Sequence, residues 1–137
     1  VIFNMCGRLS LAVNRNELKE YLQENFQIKY LPEEINLPLF NLAPQENLVN
    51  LINDGHKYRV GLIKWGYLAP FTKDKKQFVI NARAETIDVL DSFKESFLKS
   101  RCLIITDGFF EWKMEDTGKQ PYRFTNSKQK IFSFAGL

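Results

Sequence analysis

Histidine occurs once in this 137-residue sequence and cysteine twice, at Cys6 and Cys102, with no CxxC pair. That inventory supports neither a zinc site nor a disulfide framework, so both cysteines are read as thiols and neither metal nor cofactor is expected. No apolar run approaches the length that spans a bilayer. The first residues also lack the basic-then-apolar pattern of a signal peptide, so the expectation is a cytoplasmic protein with no membrane partner. Internal repeats, low-complexity tracts and Gly/Ser linkers are missing, which leaves no visible domain boundary. One domain of this length buries roughly two-thirds of the surface its unfolded chain exposes. Charge is scarce in its balance: 19 basic residues against 16 acidic give +3. Such a surface permits a nucleic-acid partner without arguing for one.

What the chain has in excess is phenylalanine, twelve of them, set in recognisable local patterns. In "NRNELKEYLQENF" Asn14 is an N-cap with Glu17 three residues on, and Leu18, Tyr21, Leu22 and Phe26 fall at helical spacing. "YLPEEINLPLFNLAPQ" carries three prolines in thirteen residues, which removes donors and disfavours helix, so it reads as an extended loop. "NLVNLIN" and "KYRVGLIKW" flank "DGH", two strands about an Asp-Gly turn, with His56 an exposed turn residue. "QFVINARAE" reads as a strand with a turn. "DSFKESFLKS" reads as a helix with Ser92 and Glu95 as a capping box and Phe93 and Phe97 facing inward. "RCLIITDGFFEWK", "PYRFTN" and "KIFSFAGL" read as a three-stranded meander, with Cys102 a buried core thiol. The expected class is α+β, a curved, mostly antiparallel sheet curling toward a barrel, with a few short helices.

Strand side chains two apart share a face. On that rule Cys6 and Arg8 share one, with Gly7 letting a ligand or another backbone come close. Asn81, Arg83 and Glu85 share another. Glu111 lies between Phe109 and Lys113, with Phe110 and Trp112 packing opposite. Taken singly, each also fits a structural role: Arg and Asn are ordinary on a half-exposed strand, and Glu111 could pair with Lys113. The case for function rests on the three together.

"MCGR", "FNLAP", "WGY", "NARAET" and "DGFFEWK", in that order, resemble the SOS-response-associated peptidase (SRAP) family of abasic-site processing proteins, from Met5 to the end of the chain. The resemblance implies that Cys6, once N-terminal, captures the aldehyde of an abasic site in single-stranded DNA as a thiazolidine crosslink. An α-amine that is partly unprotonated at neutral pH forms the imine, and the thiol of the same residue closes the ring. It further implies that Glu111 moves the proton that opens the sugar, its pKa raised by aromatic surroundings, and that Asn81 orients the reacting group. Arg8 and Arg83 match residues gripping DNA phosphates. Asn41 and Pro44 of "FNLAP" match residues that line the site and touch DNA. Trp65 is counted with the DNA-contacting residues, and in "WGYLAPFTKD" Phe71 is the candidate wedge between bases.

The family's catalytic His belongs to a later motif that Leu137 precedes, and His56 does not match it. The expected organisation is therefore a leader of residues 1–4 followed by an SRAP domain, residues 5–137, without its C-terminal part. With the leader in place Cys6 carries an amide and the ring cannot close; the leader comes from an upstream start or is removed by the self-processing peptidase activity that the family name proposes. Beside the crosslinking, lyase-type enzyme stand two alternatives. One is a thiol peptidase with Cys6 as nucleophile. The other is a noncatalytic binder of single-stranded or modified DNA that uses Arg8, Arg83 and the aromatics. A monomer is expected in each case.

Overall fold

The computed structural model describes residues 6–74 and 76–137; the readings that fall on Met5 and on residues 1–4 lie outside them. Helix α1 (Arg15–Phe26) begins as its sequence predicts. The Asn14 side chain accepts from the Glu17 amide at 3.0 Å, and the Glu17 carboxylate accepts from the Asn14 amide at 2.8 Å. This closes two donors that a helix start otherwise leaves open. Leu18 and Leu22, one turn apart, face the core and are fully buried.

The proline-rich stretch that follows is held from α1. Arg15 donates to the carbonyls of Leu31 at 3.1 Å, Pro32 at 3.2 Å, and Ile35. Leu31 and Ile35 then sink into the cluster of Leu11, Val13, Leu18, Val49, Leu51 and Ile105. The stretch is not loop throughout. Leu39–Leu42 forms β2, pairing antiparallel with β1 (Arg8–Leu11). The strand fits between Pro38 and Pro44, whose missing N–H groups fall just outside the ladder.

The predicted hairpin is present as β3 (Asn47–Asn53) and β4 (Tyr58–Lys64). Asp54 shapes its turn by accepting from the amides of His56 at 3.0 Å and Lys57 at 2.9 Å. The C-terminal part is not a meander. Cys102–Thr106 (β5) and Gly108–Glu115 (β6) lie in different sheets, and only β6 and β7 (Gly118–Phe124) form a hairpin, while β8 (Phe132–Gly136) returns to pair with β5. The two sheets run β2-β1-β6-β7 and β4-β3-β5-β8, every pair antiparallel. The class is α+β as expected, with curved, antiparallel sheets that are not closed into a barrel.

The chain crosses between sheets at Asp107, whose side chain is only 6% exposed yet ionically paired, 2.8 Å from Arg123 Nη2 on β7. Ser10 on β1 completes the corner: its hydroxyl donates to Asp107 at 2.7 Å and accepts from Arg123 at 3.1 and 3.2 Å. A buried charge needs this pairing and hydrogen bonding to be tolerated. No helix among the described residues is long and apolar enough to cross a membrane.

"QFVINARAE" is not a strand. It makes a single antiparallel bridge, Val79 to Tyr67, and then turns through residues 84–89. The short helix α2 (Lys94–Lys99) starts from Phe93 without the expected side-chain cap. Ser92 instead offers its carbonyl to the Tyr67 hydroxyl at 2.6 Å. Phe93 and Phe97 are half-buried, as the pattern predicts.

Candidate active site

Cys6 precedes β1, so strand alternation does not extend to it and it does not share a face with Arg8. Its side chain packs with Leu9, Leu42, Leu48 and Trp65 on the inner side of the sheet, where Phe109 also lies. Arg8 stands opposite Phe110 and reaches Asn41, donating to its amide oxygen at 3.1 Å. At Gly7 an added Cβ meets nothing within 4 Å. No described backbone presses there, and of the two expected uses of that glycine only space for a ligand is left.

Glu111 sits two residues along β6 from Phe109 and therefore on its face, the face of Cys6. Phe109 itself is locked in the core, stacked on Phe124 with centroids 5.1 Å apart and edge-on to Phe134 at 5.5 Å. That packing fixes the register of the strand under Glu111. Lys113 pairs with Glu115 at 3.3 Å, so Glu111 is not consumed as Lys113's surface partner. Partial burial pushes the Glu111 carboxyl up from its ordinary value. The Cys6 thiol is likewise raised, first by burial and further by the Glu111 charge, against the lowering effect of backbone hydrogen bonding at Arg8 and Phe110; its S–H donates to the Arg8 carbonyl at 3.2 Å.

Asn81 joins this pair from a different part of the chain. Its side-chain amide donates to the carbonyl of Cys6 at 3.1 Å. The predicted alternation of Asn81, Arg83 and Glu85 has no strand to rest on. Arg83 and Glu85 lie on an exposed turn beyond Asn81.

Among the residues expected to touch DNA, Asn41 and Arg83 are exposed, Arg8 and Pro44 are half-exposed, and Phe71 stands 63% exposed. Trp65 is the exception. It is 8% exposed, its ring belongs to the core cluster around Leu9 and Leu48, and its indole N–H donates to the Ile80 carbonyl at 3.1 Å. Little of its surface is open for a base to stack on. Gly66, the centre of "WGY", has φ of +143°, and a Cβ there would lie 2.3 Å from the Gln45 side chain and 3.0 Å from Phe78. Only glycine fits both demands. Trp112, expected to pack opposite Glu111, is 43% exposed on the outer face of β6.

A cavity of about 560 Å³ adjoins this cluster, lined by Cys6, Trp65, Asn81, Phe93, Phe97 and Cys102 among others. Cys102 is half-buried rather than enclosed. Its thiol lies 3.5 Å from Asn50 Oδ1 and is raised by burial. His56 is exposed in the β3–β4 turn, at the far end of the hairpin from Leu48 and its contact with the Cys6 cluster. The Trp65–Ile80 bond is the part of the site that sequence reasoning missed. A buried indole N–H demands an acceptor, but nothing local to "WGY" says which.

The chain is similar to known proteins. The chain is 38% identical over 136 residues to the abasic site processing protein YoqW of Bacillus subtilis, covering 97% of this chain and 59% of that one. It is 35% identical over 120 residues to the abasic site processing protein YedK of Escherichia coli, covering 86% of this chain and 52% of YedK. The chain thus spans about half to six-tenths of these relatives' length. A crystal structure of a phage-related protein from Bordetella bronchiseptica superimposes with a TM-score of 0.71 at 25% identity, over 96% of this chain and 60% of that one. The family model described as SOS response associated peptidase (SRAP) matches residues 5–137. The family match over residues 5–137 and the identity to its relatives show that this chain belongs to the SRAP family.

Proposed function

We propose that this chain processes abasic sites by covalent capture, with Cys6 as the reacting residue on single-stranded DNA. The observation that carries the reading is the convergence of Cys6, Asn81 and Glu111 from three separate stretches, with the Asn81 amide on the Cys6 carbonyl at 3.1 Å and the Glu111 charge felt at the Cys6 thiol. The relatives' name, abasic site processing protein, supports the same substrate.

In the reaction, the α-amine of an N-terminal Cys6 attacks the open-chain aldehyde and water leaves, giving an imine. The thiol then adds across the C=N bond, its proton passing to the ring nitrogen, so the sum is amine, thiol and aldehyde to thiazolidine and one water. A closed sugar must first open. Glu111, its carboxyl raised by burial, supplies the proton-transfer group for that step and for the thiol. Asn81 fixes the backbone of Cys6 so that amine and thiol face the same carbon, the kind of positioning that lowers a bimolecular barrier by several kcal/mol. Arg8, braced by Asn41, and Arg83 bind phosphates, Pro44 lines the path, and Phe71 stacks on a base. His56, in the exposed turn between β3 and β4, takes no part in this scheme.

The test is a denaturing gel with intact mass of the protein, started at Cys6 or at Val1, mixed with a single-stranded oligonucleotide that carries one abasic site. An adduct from the Cys6-started protein, absent in C6S and from the Val1-started protein, supports the reading. Salt-dependent binding without an adduct in either form identifies a noncatalytic binder instead.

A further inference from the structure

Asn81 owes its place to very little local structure. Among the described residues, Ile80, Asn81 and Ala82 make no backbone–backbone hydrogen bond. The segment is anchored one residue earlier by the two-way bridge of Val79 with Tyr67, at 2.8 and 2.9 Å, and next by the bond from the Trp65 indole to the Ile80 carbonyl at 3.1 Å. Trp65 is well placed to be the fixed end of that bond. Its own amide donates to Glu46 at 2.8 Å, its carbonyl accepts from Gln45 at 2.7 Å, and its ring is buried in the cluster that includes Cys6. A core role alone needs only an apolar ring of this size; the indole N–H is the additional feature, and it is spent one residue before Asn81.

We infer that Trp65 is a positioning residue for Cys6 chemistry: through the Ile80 carbonyl it holds Asn81 where the Asn81 amide can pin the Cys6 carbonyl. The inference rests on the proposed abasic-site reading for its consequence in rate, and on geometry alone for its consequence in structure. Trp65 touches neither sugar nor phosphate in this account. It acts at two removes, from the end of β4 across to Cys6, two residues before β1.

The variant W65F keeps a buried aromatic ring and deletes the donor. A second form, with 3-benzothienylalanine at position 65, keeps the bicyclic volume and replaces N–H by sulfur, so that loss of packing is separated from loss of the bond. Both are compared with wild type, each started at Cys6, for adduct formation with an abasic oligonucleotide and for binding to the same oligonucleotide carrying a stable tetrahydrofuran analogue. Loss of one hydrogen bond that orients a reacting group corresponds to about tenfold in rate. The expected result is that fall in both forms, with binding unchanged within about twofold. In the N81A background the same changes at position 65 lower the rate no further, because the bond then has nothing to position. An equal fall in the N81A and wild-type backgrounds, or no fall in the benzothienyl form, overturns the inference. If the wild-type protein itself forms no adduct, the functional proposal fails, and the inference is then read from the side-chain amide resonances of Asn81 alone. Deleting the indole N–H shifts them and speeds their exchange if Trp65 holds the segment, and leaves them in place if it does not.

Discussion

Replacing Arg123 by alanine tests the corner at which the chain passes from one sheet to the other. Asp107 keeps 6% of its side-chain surface exposed and Arg123 38%, at a separation of 2.8 Å, with Ser10 bonded to both. R123A leaves a carboxylate buried with one hydroxyl for company. Removing one partner from a buried pair costs 3–5 kcal/mol, but the arginine end is wet enough to screen part of that, so about 2–3 kcal/mol is expected. D107N keeps the acceptor for Ser10 and leaves an arginine that can turn to water, a loss of about 1 kcal/mol. At roughly 3–4 °C per kcal/mol for a chain of this size, R123A lowers Tm by about 6–12 °C and D107N by about 3–4 °C. Circular dichroism melts, with urea midpoints as the isothermal check, read both values. A loss below about 2 °C for R123A, or a larger loss for D107N than for R123A, refutes the reasoning, because either would mean that the carboxylate is not the group whose burial needs compensation.

E111Q removes an acid whose folded-state pKa burial has raised. Such a group favours folding below its unfolded pKa and loses that contribution as pH rises through the folded value, so E111Q melts above wild type at pH 8, the gap closing by pH 4, while adduct formation slows; a variant that melts lower at pH 8 than at pH 4 relative to wild type contradicts this. N14A removes the cap at the start of α1 and costs about 1 kcal/mol in urea unfolding, with no change in adduct formation.

The elements legible in the sequence are those fixed by neighbours in the chain. The Asn14–Glu17 box, the Leu18–Leu22 stripe and the Asp54 turn each close within a few residues, and all three are present. What was missed depends on distant partners. Leu39–Leu42 is a strand because β1 supplies its ladder, and "CLIITDGFFEWK" is two strands because Arg123 and Ser10 stabilise a charged bend at Asp107. "INARAE" alternates as a strand does but has no neighbour to pair with, and tertiary context outweighs the pattern. In the site, Cys6, Asn81 and Glu111 were singled out as residues, and their convergence was not visible from face-sharing because Cys6 and Asn81 both lie outside strands. Trp65 reads as a DNA contact from its motif position, whereas in the fold it is buried and bonded to the Ile80 carbonyl.

The crossing at Asp107 also sets how this domain loosens. β5 and β6 are one nearly continuous stretch of backbone, with β5 bonded to β3 and β8 and β6 bonded to β1 and β7. Neither sheet can peel away without dragging on the other through that shared stretch. The strand beneath Glu111 and the β5 wall opposite therefore open as a single cooperative unit, and Glu111 draws its rigidity from the global stability of the domain.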